Sequence, residues 1–148
     1  MEAAWPEIAS RLSPPRIYWL HTTSPSGAPQ ASPVWGVVVD DSLYVYTERS
    51  TVKARNLARD QRVLVHLESG ADVVIVHGRL VDLGRPADSP GVVDAFDAKY
   101  DEPWEKPFLP ANDPAFDVLY VLRPARAALW TLPDSAASTR RWAAPGEG

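Results

Sequence analysis

Six short runs of β-branched and aromatic residues, each closed by a turn signal, set the strongest limit on what this chain can fold into. They span Arg16 to Thr23, Gln30 to Asp40, Leu43 to Thr47, Arg62 to Leu67, Val73 to Leu83 and Phe116 to Trp130. Runs of this composition favour extended backbone. Ser24-Pro25-Ser26-Gly27-Ala28-Pro29, Asp40-Asp41 and Gly70 are the breaks between them. The last run carries Pro124, which donates nothing to a ladder and so predicts an edge position or a bulge. Val73-Val74-Ile75-Val76 is continuously apolar and predicts a strand covered on both faces.

Three helices are predicted between the strands. Residues 1–15 hold a short N-terminal one over Trp5 to Leu12, with Pro6 suited to a first turn. Ser50 to Asp60 places Ala54, Leu57 and Ala58 at helical spacing behind a Ser50 or Thr51 cap. Pro86 to Tyr100 aligns Val92, Val93, Phe96 and Tyr100. Asp101 to Pro114 reads as irregular, and residues 132–148 as a small polar tail apart from Trp142. Short antiparallel strands with so few helices predict a mainly β fold, a closed or partly closed barrel. At 148 residues, 45% hydrophobic, residues 1–148 form one domain with a single real core.

The absence of cysteine excludes disulfides, thiolate metal sites and cysteine nucleophiles. The first twenty residues lack a basic-then-apolar leader, and no apolar stretch approaches a membrane span, so the expected location is the cytoplasm. A formal net charge of −4 argues against nucleic acid as a partner. Yet between Glu48 and Arg62 five cations (Arg49, Lys53, Arg55, Arg59, Arg62) face two anions, Glu48 and Asp60. A basic segment on an acidic protein points to a specific small anion.

That segment also starts a helix. Free N–H groups and the positive end of the helix dipole attract anions, and Lys53 lies in the first turn. Arg49 and Arg55 offer two-pronged contacts. The same residues equally describe a capped, solvated surface helix. His21, His66 and His77 show no close ligand spacing, so no metal site is expected. Neither a G-x-S-x-G elbow nor a G-x-G-x-x-G turn is present.

Ser32-Pro33-Val34-Trp35-Gly36, Leu43-Tyr44-Val45-Tyr46-Thr47 and Ser50-x-x-Lys53-x-Arg55-Asn56-Leu57-x-x-Asp60 follow one another in order. So do Arg62 to Gly70, Val74-Ile75-Val76-His77-Gly78, Phe96 to Tyr100, Val121-Leu122-Arg123-Pro124 and Thr139-Arg140-Arg141-Trp142. This series resembles the pyridoxamine 5′-phosphate oxidase-like superfamily, and in particular its actinobacterial branch that binds the deazaflavin coenzyme F420. The resemblance covers most of the chain.

It implies a six-stranded antiparallel split β-barrel that binds FMN or F420 at a homodimer interface. It assigns Ser50, Lys53, Arg55 and Asn56 to the cofactor phosphate, and Pro33, Val34 and Trp35 to the strand flanking the ring. It implies hydride transfer between F420 and a small planar unsaturated substrate, with no membrane partner and no catalytic side chain assigned. FMN chemistry on the same scaffold is the alternative, and a non-catalytic cofactor or haem binder the third reading. The cation excess favours F420, whose tail carries carboxylates beyond the phosphate.

Overall fold

The computed structural model describes residues 2–146; Met1 and residues 147–148, the extremes of the expected domain, lie outside them. The elements in chain order are α1 (Trp5–Leu12), β1 (Tyr18–Thr23), β2 (Pro29–Val34), β3 (Gly36–Val39), β4 (Ser42–Thr47), α2 (Val52–Arg59), β5 (Arg62–Leu67) and β6 (Asp72–Asp82). A 3₁₀ turn (Pro86–Asp88) and α3 (Pro90–Lys99) follow, then a 3₁₀ turn at Lys106–Phe108, β7 (Val118–Thr131), α4 (Ser135–Ser138) and β8 (Arg140–Ala143).

The strands form one antiparallel sheet in the order β2-β1-β5-β6-β7-β4-β3, with β8 added beside β7. The two ends of that path, β2 and β3, are joined through the single residue Trp35. A sheet whose opposite edges are one residue apart in the chain has to curl on itself, which makes this a split barrel with Trp35 at the seam.

Eight strands replace the six expected. The run from Gln30 to Asp40 divides at Trp35 because its halves pair with different neighbours, β1 and β4. The polar tail also pairs, Arg140 to Ala143 lying against Leu129 to Arg126. The Asp40-Asp41 turn forms with both residues at positive φ, 49° and 61°, the twist a two-residue hairpin needs. Pro124 sits at a bulge in a central strand: His77 opposes Arg126 and Gly78 opposes Pro124, leaving Ala125 unmatched. A Cβ on Gly78 would lie 2.3 Å from the Arg123 carbonyl oxygen, so the close approach there requires glycine.

The apolar run in β6 is not covered on both faces as expected. Val74 and Val76 are buried, whereas Val73 and Ile75 are half-buried on the outer face. Inside the barrel, Ile8, Leu12, Tyr18, Leu43, Val65, Val76 and Leu122 belong to one cluster. A second, beneath α3, gathers Val37, Tyr46, Val92, Phe96, Tyr100, Leu109 and Leu119.

Candidate functional site

The seam opens into a groove. Pro33, Val34, Trp35, Tyr46, Thr47, Lys53, Phe108 and Phe116 line a cavity of about 250 Å³ there. The start of α2 faces it because Thr51 caps the helix, its Oγ1 accepting from the Ala54 amide at 3.3 Å. The Lys53 amine is half-buried in the groove wall, and burial pushes its pKa down while Glu48 opposes the shift. No carboxylate lies within 4.0 Å of Lys53 among the described residues. A half-buried amine with no carboxylate beside it is a natural partner for a phosphate.

The other assigned residues are placed differently. Ser50 is exposed just before α2, and its carbonyl accepts from Arg55 Nη1 at 2.8 Å. Asn56 is 3% exposed and turns inward, its Nδ2 donating to Thr22 Oγ1 at 3.1 Å. Thus Pro33, Val34, Trp35 and Lys53 share the cavity lining, Ser50 and Arg55 stand at the helix entrance, and Asn56 ties α2 to β1.

The cation excess is smaller than the count from Glu48 to Arg62 implied. Arg49 binds Asp82 through both guanidinium nitrogens, at 2.7 and 3.1 Å, and holds that carboxyl below its usual range. Arg62 pairs with Asp60 at 2.8 Å, and Arg59 donates to the Thr23 carbonyl.

Trp35 is held from behind. Its ring stacks on Tyr100 at 4.5 Å and 5°. The Tyr100 hydroxyl accepts from the Gly36 amide at 2.9 Å and donates to the Arg16 carbonyl at 2.6 Å. Lys99 Nζ donates to the Gly36 carbonyl and to the Tyr18 hydroxyl, both at 2.8 Å. Burial pushes the Lys99 amine down to about 8, with Arg16 adding to the shift. Gly36 itself has no room for a side chain, since a Cβ would meet the Tyr18 ring at 2.9 Å.

The resemblance did not assign Tyr46, Thr47, Phe108 or Phe116 to the site. Tyr46 and Thr47 end a strand that the sequence does mark and Phe116 opens the final predicted run, two residues ahead of β7, whereas Phe108 arrives from a segment with no periodic signal. Trp142 packs against Trp5, ring centroids 4.9 Å apart, away from this groove. It borders a larger cavity of about 500 Å³ on the outer face, with Ile75, His77, Arg126 and Arg141. That cavity contains none of the assigned residues. Sequence spacing also concealed a contact between histidines: His21 Nε2 and His66 Nε2 lie 2.9 Å apart on the outer face. Among the described residues no group of three or more metal-ligating side chains occurs.

The family profile of pyridoxamine 5′-phosphate oxidase matches residues 4–131, most of the chain. The chain belongs to that family. Its fold is shared with a conserved hypothetical protein, Rv2991, from Mycobacterium tuberculosis, 25% identical over 87% of this chain and 85% of that one, with a TM-score of 0.72. An F420 reductase is 24% identical over 80% of this chain and 93% of its own, with a TM-score of 0.64. A heme binding protein from Mycobacterium smegmatis is 19% identical over 97% of this chain and 59% of its own, with a TM-score of 0.71. No curated protein matches. No helix among the described residues is long and apolar enough to cross a membrane.

Proposed function

We propose that this pyridoxamine 5′-phosphate oxidase family protein is a cytoplasmic F420-dependent oxidoreductase that reduces or oxidises a small planar unsaturated substrate. The observation that carries the reading is the seam groove, which joins flat aromatic walls at Trp35, Tyr46 and Phe116 to a half-buried Lys53 amine. A molecule with a flat ring at one end and a phosphate at the other matches that division. When bound, the deazaflavin supplies the hydride-carrying ring. The chain's own share is to bind and orient: Lys53 neutralises the phosphate, with Ser50 and Arg55 beside it at the helix start. Pro33, Val34 and Trp35 flank the ring, and the aromatic walls exclude water.

FMN is the second reading, favoured by the pairing of Arg49 with Asp82 and of Arg62 with Asp60. With those cations engaged, the site serves one phosphate better than a long polyanionic tail. Haem is less well served, because His21, His66 and His77 line none of the groove. We further infer a homodimer formed through the outer sheet face. There Trp19, His66, Ile75 and Ala128 fall in register across four strands and are only half-buried in one copy.

Parallel fluorescence titrations of the cofactor-free protein with F420 and with FMN test the reading. Tight F420 and weak FMN binding is the expected result. The reverse order moves the protein to the flavin side of its family, and binding of neither removes the redox role.

A further inference from the structure

Large apolar side chains are exposed at four places among the described residues: Val52, Trp104, Phe108 and Leu132, at 49%, 64%, 54% and 54%. Two of them border the seam groove: Phe108 lines it, and Trp104 stands edge-on to Trp35. Exposed apolar surface gathered around one concavity marks a binding face, since folding stability gains nothing from it.

The segment that displays Trp104 and Phe108 is firmly held. Glu105, 2% exposed, pairs with Arg16 and accepts from the Glu102 amide at 3.0 Å. Lys106 Nζ donates to the Asp97 carbonyl at 2.7 Å, and the Tyr46 hydroxyl donates to the Phe108 carbonyl at 2.5 Å. An ion pair with a buried carboxylate and two anchoring hydrogen bonds therefore fix a backbone whose aromatic side chains face water.

Geometry gives the face its shape. Trp104 and Phe108 each stand nearly perpendicular to Trp35, at 80° and 82°, with ring centroids 6.0 and 6.4 Å away. Beside them Asp101, Glu102 and Glu105 outnumber the cations Arg16 and Lys106. Arg16 pairs with Glu105 and lies 4.0 Å from Asp101, so this border is acidic on balance, while Lys53 lies at the α2 end of the groove. The groove is thus cationic at one end and aromatic with an acidic border at the other.

We propose that Trp35, Trp104 and Phe108 form the substrate end of the groove, selecting planar aromatic compounds that are neutral or cationic and rejecting carboxylates. This rests on the reading that the Lys53 end holds the cofactor phosphate. Ring edges and faces at right angles hold a flat molecule, π-faces favour a cation, and the acidic border repels an anion.

Cofactor-free protein titrated with naphthalene-2-methanol, (2-naphthylmethyl)trimethylammonium and 2-naphthoate tests the proposal by heat of binding. The alcohol and the ammonium probe should bind at least about fivefold more tightly than the carboxylate, and Trp104→Ala or Phe108→Ala should each weaken them by about three- to tenfold. Trp104→Phe should restore most of the loss. Equal affinity for all three probes, no binding to the wild type, or unchanged binding in both alanine variants overturns the proposal. So does a fall from dimer to monomer in Trp104→Ala by sedimentation, which would make the rim an interface between copies. Because the probes carry no phosphate and the protein no cofactor, failure of F420 and FMN to bind is scored separately.

Discussion

The two apolar clusters of this barrel are made of different material. The inner one is mostly Leu, Ile, Val and Ala around Tyr18 and Tyr120. The one beneath α3 is richer in rings: Tyr46 meets Phe96 edge to face at 4.9 Å, and Phe96 lies over Tyr100 at 6.1 Å. Its hydroxyls also reach backbone, Tyr46 to the Phe108 carbonyl and Tyr100 to Gly36 and Arg16. Aliphatic packing tolerates small rearrangements, whereas rings tied by hydrogen bonds allow few alternatives. The inner cluster closes the barrel, and the outer one fixes Trp35 and Phe108, which line the groove.

Truncation separates the two roles with the largest effect. Phe96→Ala should cost about 3–5 kcal/mol and Leu122→Ala about 2–5 kcal/mol in chemical denaturation. Only Phe96→Ala should also weaken cofactor affinity measured under folding conditions. Equal loss of affinity in both would erase the distinction. Tyr100→Phe comes next. It leaves the Gly36 amide without its acceptor, at about 1–3 kcal/mol, and should lower affinity by loosening Trp35.

Lys99 sharpens the contrast through pH. Its folded pKa, near 8, lies below the unfolded value of about 10.4, so the fold favours the neutral amine. Stability should therefore rise as pH climbs from about 8 towards 10, and Lys99→Met should flatten that rise in melting curves. An unchanged slope would mean that the amine stays charged against the faces of Tyr18 and Tyr100, 4.9 and 5.4 Å away.

Lys53→Ala should leave apo melting where it is and weaken cofactor binding about tenfold or more. A drop of several degrees instead would make Lys53 structural. The smallest effect belongs to the outer face. Burial holds His21 and His77 below their usual pKa, so stability is full above about pH 6.5 and declines as pH falls through the lowered values. His21→Gln should remove part of that decline below about pH 6.5, and a superimposable pH profile would rule His21 out as its source.

Strand identity was legible where composition and local geometry agree. Arg62 to Leu67 forms β5 without change, and Asp40-Asp41 turns as its residue types predict. Pro124 announced an edge position or a bulge because a missing N–H is a local fact, and the bulge is what forms. What lay hidden depends on distant pairing. Nothing local tells Trp35 that the strands on either side have different partners, nor Arg140 to Ala143 that β7 has an open edge. The site divides in the same way. Lys53 was visible as a cation at a helix start, but Asp82, which engages Arg49, lies 33 residues away. Phe108 and Trp104 sit in a segment held by partners distant in the chain, Arg16 on Glu105 and Tyr46 on the Phe108 carbonyl.

The seam has a consequence for how this chain can vary. Ala31 and Pro33 are exposed, Trp35 lines the groove, and Val37 and Val39 pack beneath α3, all on the odd-numbered face of one extended segment. Val34 and Val38, between them, turn to the barrel interior. Inserting or deleting a single residue from Pro33 to Val37 would exchange these faces and carry Trp35 out of the groove. At this seam the count of residues is itself part of the binding site.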